Sequence, residues 1–417
     1  MNPQPDNNRI DLDHYVALGD SITAGYADGA LYHDAQLHAY PNILAVQFKR
    51  SDNFRQPLMA KNSVGVNQDG QSRLCLSKRR GVSNYALIHL ADQGDKQALL
   101  QNQFTIQGPF NNIGVPGAKV ITTTLRGFGN PANGEGNYNP FFTRMASDAK
   151  LASMLSDALL LKPTFFSVFI GNNDALAYAL SGGTMNTITP PSLFEKHLRE
   201  IVNTFTDNNA KGVIANLPSV AQIPYFYCIA CNGLDLNEMN ANILNTQYQS
   251  IYVNLTEGKN NFIMADLNSP NGFRQMKDGE FVLLDLLLDA NKESYLTGLH
   301  PIPERYTLSL ERIAEVENAI NAYNKVIETL AREQHLALVD INTLLKSAKA
   351  DRTYNCATHN LDYARKGVFS LDGLHPNAFG QALMANAFLQ AINKTYDCQF
   401  DLVFSAKAKG IEFPEKV

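Results

Sequence analysis

The chain lacks the features that mark several common classes of protein. It has 35 lysines and arginines against 40 aspartates and glutamates, so a nucleic-acid partner is not expected without a basic excess. No apolar run is long enough to cross a bilayer. With 45% apolar and 18% charged residues over 417 positions, the composition is typical of a globular protein that can bury a large core.

Cysteine is also scarce, with five in the whole chain. Cys228 and Cys231 have the spacing of a metal knuckle or a redox pair, but no second pair and no suitably spaced histidine cluster follows. A redox motif should open a helix after a strand, whereas this one follows the aromatic run Tyr225–Tyr227. Buried free thiols and a local disulfide remain the two interpretations. The sequence predicts no metal and no other cofactor.

The N-terminal residues are polar, rich in proline and asparagine, and without the apolar core of a signal peptide. Either the protein stays inside the cell or an export segment has been removed. A flexible leader over residues 1–11 favours the second interpretation. We expect a single domain over residues 12–417.

Short apolar strands alternate with amphipathic helices along the chain, which predicts an α/β fold. The alternation breaks at about 51–107 and about 220–305, and we interpret both stretches as insertions. Apolar residues recur every three or four positions over Ser309–His335, which predicts a long helix with Ser309 as its N-cap. The other predicted elements are strands at 14–18, 112–115, 163–170, 212–216 and 336–339 and helices at 40–48, 146–161, 193–205 and 377–396.

The first predicted strand leads into Gly19-Asp20-Ser21, which places a serine where a helix should begin. Open α/β sheets bind ligands at this end of their strands, and the start of a helix favours developing negative charge. Ser21 is therefore a predicted nucleophile, but a serine hydroxyl needs a base. His375 can supply it. Asp372, three residues earlier, can reach the same imidazole, fix its tautomer and stabilise the imidazolium.

Two further strand ends offer hydrogen-bond donors for an oxyanion. Gly117, which ends the stretch Asn112–Gly117, allows its backbone to approach a substrate oxygen closely. Asn173 follows the strand at 163–170 and carries an amide that can point at the same place. Together with the backbone N–H of Ser21, these groups predict an oxyanion hole in which each donor is worth about 3 kcal/mol.

Some of these residues have a structural alternative. Ser21 could be only an N-cap, and Asp174 could hold Asn173 and the Ser21 loop without being a catalytic acid. His300 competes with His375, because Leu-His-Pro occurs at both places. At His300, however, threonine stands where the carboxylate should be and no C-terminal helix follows. We expect His300 to be structural or to line the entrance of the site.

The glycines in the turn after the first predicted strand also raise the possibility of a nucleotide-binding protein. These glycines, from Gly19 to Gly25, fit neither G-x-G-x-x-G nor G-x-x-x-x-G-K-[ST]. The phosphate cradle is therefore missing, and this class is disfavoured.

Four sequence blocks, in this order, resemble those of the SGNH/GDSL hydrolases, a family of esterases, lipases and related acylhydrolases. They are Gly19-Asp20-Ser21 with isoleucine in place of the usual leucine after it, Asn112 to Gly117, Gly171 to Asp174, and Asp372 to His375. The resemblance implies a three-layer α/β/α sandwich around a parallel, flavodoxin-like five-stranded sheet that carries large insertions. It also implies ester hydrolysis by Ser21, His375 and Asp372, with Ser21, Gly117 and Asn173 as the oxyanion hole.

A closer likeness, to large GDSL-like proteins of Bacteroidetes-type bacteria, rests on Gly25–Tyr32, Tyr40-Pro41-Asn42, Gly129-Asn130-Pro131 and Pro301-Ile302-Pro303. Many of those proteins are predicted lipoproteins. The likeness therefore implies export to the periplasm or outer membrane and membrane tethering through a removed N-terminal lipid anchor.

The expected partner is a small-molecule, lipid or carbohydrate ester, and acylglycerols, phospholipids and acetylated sugars all remain open as substrates. The alternative function is a binding protein on a hydrolase fold, whose insertions occlude or repurpose the site.

Overall fold

The computed structural model describes residues 10–78, 85–96, 108–251, 253–350 and 367–403. Its centre is a five-stranded parallel sheet. Numbered in chain order, the strands are β1 Tyr15–Gly19, β2 Asn112–Gly114, β3 Phe165–Phe169, β4 Lys211–Ala215 and β5 Ala337–Val339. Their order across the sheet is β5-β4-β3-β1-β2, the flavodoxin-like arrangement that the family resemblance implies.

The helices connect these strands and follow the last of them. In chain order they are α1 Ser21–Ala24, α2 His33–Leu37, α3 Tyr40–Gln47, α4 Val120–Thr124, α5 Pro140–Thr143, α6 Met154–Leu159, α7 Asn172–Leu180, α8 Pro191–Asp207, α9 Pro224–Tyr227, α10 Glu238–Gln247, α11 Lys292–Leu296, α12 Leu310–Glu333, α13 Ile341–Ala350 and α14 Ala378–Tyr396.

Helices cover both faces of the sheet because successive side chains of a strand point to opposite faces. On β3, Phe165 packs against Phe48 after α3 and against Tyr396 of α14. Its neighbour Phe166 stacks on Phe205 of α8, on the other face. The result is the three-layer α/β/α sandwich, with a buried parallel sheet that explains the apolar runs of its strands.

The register of the sheet sets the position of the site. Gly19 at the end of β1 pairs with Gly114 of β2 on one side and with Phe169 of β3 on the other. The three strands therefore end at one level, and the loops that follow them meet there.

The two predicted insertions carry their own short elements. In the first, Leu74–Lys78 pairs antiparallel with Tyr85–His89, while residues 79–84 and 97–107 lie outside the described residues. The second contains a buried apolar cluster separate from the main core, which includes Leu234, Phe262 and Ile302. Its two-stranded ladders are Leu234–Leu236 with Gly258–Asn260, Ile263–Ala265 with Phe273–Gln275, and Phe281–Val282 with Thr307–Leu308.

One predicted helix is largely wrong. The stretch 146–161 is helical only over α6, Met154–Leu159. Ser153 caps it by accepting a hydrogen bond from the Ser156 N–H at 3.1 Å. Upstream, the Ser147 N–H donates to Asp157 at 2.8 Å, which folds the preceding segment back as a loop. The capping and turn-forming side chains thus override the helical spacing of the apolar residues.

The long helix is close to its predicted bounds. The Ser309 hydroxyl accepts a hydrogen bond from the Arg312 N–H at 3.3 Å, so Ser309 is the N-cap of α12.

Along the part of the chain that is described, no helix has the length and apolar character needed to cross a membrane. The predicted leader lies outside the described residues up to position 9.

Candidate active site

Ser21 occupies a tight turn between β1 and α1. A Cβ at Gly19 would lie 2.4 Å from the carbonyl oxygen of Phe169, so a larger residue cannot fit there. The fully buried Asp20 carboxylate accepts the Ile22 N–H at 3.0 Å and the Asn172 amide at 2.9 Å. Burial raises the pKa of Asp20, although these hydrogen bonds oppose the shift. The carboxyl group therefore fixes the turn that carries Ser21 to the start of α7.

The structure brings Ser21, His375 and Asp372 into one hydrogen-bonded chain. The Oγ of Ser21 lies 2.8 Å from Nε2 of His375, and Nδ1 of His375 lies 2.8 Å from Oδ2 of Asp372. Since a carboxylate only accepts, Nδ1 carries the proton, and Nε2 of a neutral imidazole is left as an acceptor facing the hydroxyl. This is the geometry a serine needs in order to lose its proton to a base.

The carboxylate of Asp372 is held on both oxygens. Oδ1 accepts the N–H groups of Leu374 at 2.9 Å and His375 at 2.8 Å, together with the hydroxyl of Ser370 at 2.9 Å. Oδ2 accepts the N–H of Gly29 at 2.8 Å in addition to the imidazole. Burial alone would raise the pKa of Asp372, but the electrostatic interaction with the adjacent His375 ring and these donors outweigh it, and the pKa is lowered. Asp372 is thus an ionised acceptor in a fixed orientation.

Sequence reasoning did not single out two residues that position this carboxylate, Ser370 and Asp28. The Asp28 N–H donates to the Ser370 hydroxyl at 2.9 Å, which leaves the Ser370 proton directed at Asp372. The Asp28 carboxylate accepts the Leu371 N–H at 2.9 Å and so ties the two loops together. The only sequence signal was indirect: Asp28 lies within Gly25–Tyr32, a stretch noted for its family resemblance.

Tyr26 packs beside the imidazole. The centres of the Tyr26 and His375 rings lie 4.7 Å apart, and the phenol donates to the carbonyl of Gly29 at 2.6 Å. The ring is thus fixed by the same loop whose N–H holds Asp372, and it limits the orientations that His375 can adopt.

The two other predicted donor positions lie around Ser21. Gly117 has φ of +79°, a backbone conformation that glycine adopts without strain. Asn139 supports this loop by donating to the Pro116 carbonyl at 2.8 Å. The Asn173 amide donates one hydrogen to the Ala118 carbonyl at 2.9 Å, which leaves its second hydrogen for another acceptor. Gly117, Asn173 and Ser21 line the same cleft.

Asp174 does not hold the Ser21 loop, contrary to one alternative that the sequence allowed. Its carboxylate accepts the Val120 N–H at 2.9 Å, so it holds the loop that follows Gly117. Burial raises the pKa of Asp174 to about 6. Asp174 thus stabilises the loop between Gly117 and α4 through its hydrogen bond to Val120.

The competing histidine lies elsewhere. His300 is exposed in the second insertion, where its N–H donates to the carbonyl of Ser294 at 3.1 Å, and it lines neither cleft at Ser21. Cys228 and Cys231 are not joined by a disulfide, whereas Cys356 falls outside the described residues. No group of three potential metal ligands comes together among the residues that the structure describes.

Two clefts open from Ser21, and both include Asn173, Leu374 and His375. The first, here the apolar cleft, is lined further by Phe169, Leu176, Ile341, Leu344, Leu345 and Met384, among other apolar residues. The second, here the polar cleft, is lined further by Asn67, Gln68, Asp69, Gln71, His89 and Asp285, with some apolar residues between them. The Ser21 hydroxyl is therefore bordered by two clefts of different character.

Comparison with known proteins gives one family. The profile described as GDSL-like Lipase/Acylhydrolase matches residues 15–313. The match includes Ser21, Gly117 and Asn173 and ends before Asp372 and His375. The assignment of these last two residues to the site therefore rests on the hydrogen-bond distances to Ser21 and between them. No curated protein matches the chain.

Several solved structures are similar over most of the chain at low identity. An acetyl xylan esterase shares 13% identity, with 90% of this chain and 98% of that chain covered and a TM-score of 0.36. A protein described as a GDSL-like lipase from Parabacteroides merdae shares 14%, with 92% and 98% covered and a TM-score of 0.36. An extracellular lipase from Streptomyces rimosus shares 14%, with 91% and 98% covered and a TM-score of 0.31. The family match carries more weight than these likenesses, because their TM-scores are low.

Proposed function

Because the chain belongs to the GDSL-like lipase/acylhydrolase family, we propose that it is a serine esterase that cleaves carboxylic esters through an acyl-enzyme on Ser21. Family membership supports ester hydrolysis in general. The observation that carries the specific proposal is the hydrogen-bonded chain from Asp372 through His375 to Ser21, which ends where two clefts meet.

In the first step His375 Nε2 takes the proton of Ser21 as Oγ attacks the ester carbonyl carbon. The imidazolium that forms keeps its second proton on Nδ1, where the lowered pKa of Asp372 makes the carboxylate a stable partner for the positive charge. The oxyanion accepts hydrogen bonds from the N–H groups of Ser21 and Gly117 and from the Asn173 amide. These donors are held in place before the reaction, so they stabilise the transition state without reorganising.

In the second step His375 gives its Nε2 proton to the departing alkoxide, and the alcohol leaves an acyl group on Ser21. A water molecule then donates its proton to His375 and attacks the acyl carbon. Collapse of the second tetrahedral intermediate returns the proton to Ser21 and releases the acid.

The test is hydrolysis of p-nitrophenyl acetate, butyrate and octanoate by the wild type, Ser21→Ala and the control Ser347→Ala. Ser347 is exposed on α13 and donates only to the Thr343 carbonyl, so its removal should leave turnover unchanged. Ser21→Ala should lose at least about 10³-fold in kcat while its unfolding curve stays close to that of the wild type. Turnover retained by folded Ser21→Ala would refute the proposal.

A further inference from the structure

The two clefts at Ser21 differ in the polarity of their lining residues, and this difference indicates which ester the site can bind. The acyl and alkoxy groups of an ester diverge from the carbonyl carbon that Ser21 attacks, so they must lie in different directions from it. One cleft is therefore available to each group. This inference rests on the proposed esterase function and asks which ester the site takes.

The apolar cleft fits a hydrocarbon. Among its described lining residues, the polar side chains are Ser21, Asn172, Asn173 and His375, all at the reacting centre. Beyond them the walls are aliphatic or aromatic, and they come from α7, α13 and α14 and from several strand ends and loops. A hydroxylated group placed there would lose its hydrogen bonds to water without replacement. Each methylene of an acyl chain would gain the free energy of burial, which corresponds to about fourfold in kcat/KM.

The polar cleft fits hydroxyl groups. His89 Nδ1 lies 2.8 Å from the Ser72 carbonyl and donates to it, which leaves Nε2 of the neutral ring as an acceptor. The Gln68 carboxamide lies over Gly117, where its nitrogen would be 2.2 Å from an added Cβ. The Gln68 side chain is exposed and its carboxamide makes no hydrogen bond to the described residues, so it is available to bind a hydroxyl of the substrate.

The same cleft disfavours an anionic alcohol group. Asp69 and Asp285 both line it, and no lysine or arginine does so among the residues that the structure describes. A phosphate in this position would lie near two carboxyl groups, and no lysine or arginine among the described lining residues would compensate its charge. A neutral alcohol such as glycerol or a sugar has no such penalty.

We propose that the substrate is an ester of an apolar acyl chain of several carbons with an uncharged, hydroxyl-bearing alcohol, the acyl chain lying in the apolar cleft and the alcohol in the polar cleft. This selects acylglycerols and longer-chain acyl sugars over acetylated sugars and over esters whose alcohol carries a phosphate.

The first experiment compares kcat/KM for monomeric glycerol esters of acetate, butyrate, hexanoate and octanoate, and for 1-octanoylglycerol 3-phosphate. We expect kcat/KM to rise about fourfold per methylene until the cleft is full. We expect the phosphate ester to be cleaved at least about tenfold more slowly than 1-octanoylglycerol. A maximum at acetate, or equal cleavage of the phosphate ester, would overturn the inference while leaving the esterase proposal intact. Absence of Ser21-dependent turnover of every ester would refute the esterase proposal itself.

Two variants test which cleft binds the acyl chain and which binds the alcohol group. Leu345→Trp fills the apolar cleft, so the octanoate-to-acetate ratio of kcat/KM should fall at least about tenfold. Leu151→Trp is the control, at a position that is 59% exposed and lines neither cleft. Each ratio is taken within one protein, so partial loss of folded material does not change it. An unchanged ratio in Leu345→Trp would place the acyl chain elsewhere and overturn the inference.

On the alcohol side, Gln68→Ala should lower the ratio of 1-octanoylglycerol to p-nitrophenyl octanoate turnover by about fivefold, the value of one hydrogen bond. p-Nitrophenol has no second hydroxyl for Gln68 to bind, so its ester serves as the internal reference. Gln249→Ala, at an exposed position in the second insertion, is the matched control and should leave the ratio unchanged. No change in Gln68→Ala would contradict the assignment of the alcohol to the polar cleft.

Discussion

Replacing Asp372 by asparagine should disable His375 through its tautomer while leaving the fold intact. The side chain has the same shape, but one oxygen becomes an NH₂ group. At the Oδ1 position this NH₂ would face two backbone donors, the N–H groups of Leu374 and His375. At the Oδ2 position it would face one backbone donor, Gly29. The NH₂ group should therefore take the Oδ2 position.

From that position asparagine donates to Nδ1 of His375, which drives the ring proton to Nε2. Nε2 then faces the Ser21 hydroxyl as a donor and cannot accept its proton. A comparable change in a serine protease lowers kcat by about 10⁴, and we expect a similar loss here, or about 5 kcal/mol in the barrier. The donor-to-donor contact with Gly29 should cost only about 1–3 kcal/mol of stability.

The assay is the kcat of p-nitrophenyl butyrate hydrolysis for wild type and Asp372→Asn at neutral pH, with urea unfolding of both proteins alongside. The account requires a loss of about 10⁴ in kcat with KM within a few-fold of the wild type. A folded Asp372→Asn protein that keeps more than about a tenth of the wild-type kcat would show that the tautomer does not matter and that the reasoning is wrong.

Three further predictions follow from the same contacts. Asn173→Ala should lower kcat by about 10²–10³ with little change in KM, because its amide binds the oxygen mainly in the transition state; a rise in KM alone would contradict this. Ser370→Ala removes a donor to Asp372 Oδ1, so the carboxylate is less firmly oriented towards His375 and kcat should fall about tenfold, with partial recovery in Ser370→Thr; an unchanged kcat would contradict this. Burial raises the pKa of Asp174 from 3.8 to about 6, so the native state keeps a proton that the unfolded chain releases, and stability falls as pH rises between those values. The unfolding free energy of Asp174→Asn, taken relative to that of the wild type, should therefore increase by up to about 3 kcal/mol from pH 4 to pH 7. Urea denaturation of both proteins at each pH measures this difference, and a difference that does not change with pH would refute the prediction.

The residues that meet at Ser21 could be predicted because each follows a strand or stands in a short local motif. Ser21, Gly117 and Asn173 come after β1, β2 and β3, and parallel strands of one sheet end on one side. Asp372 is three residues from His375, so their contact is local. The sequence thus indicated which side chains meet, although their catalytic roles remain proposals.

Other features depend on contacts that sequence spacing does not reveal. Ser370 is held by Asp28, 342 positions away, and nothing in either neighbourhood signals the partner. The helix expected over 146–161 is mostly a loop because Ser153 and Asp157 bind the backbone in competition with the helix. The two clefts are lined from many separate elements, including both insertions, so their contrast appears only in the folded chain.

The most direct test of the central claim is covalent labelling with an alkyl p-nitrophenyl phosphonate, followed by intact-mass and peptide mass spectrometry. The phosphonate resembles the tetrahedral intermediate and reacts with a serine only when a base and an oxyanion site act on it together. We predict one adduct per chain, on the peptide that contains Ser21, and labelling slowed at least about 10³-fold in His375→Ala. An adduct on a different residue, or no adduct in folded protein under conditions where it hydrolyses esters, would contradict the account.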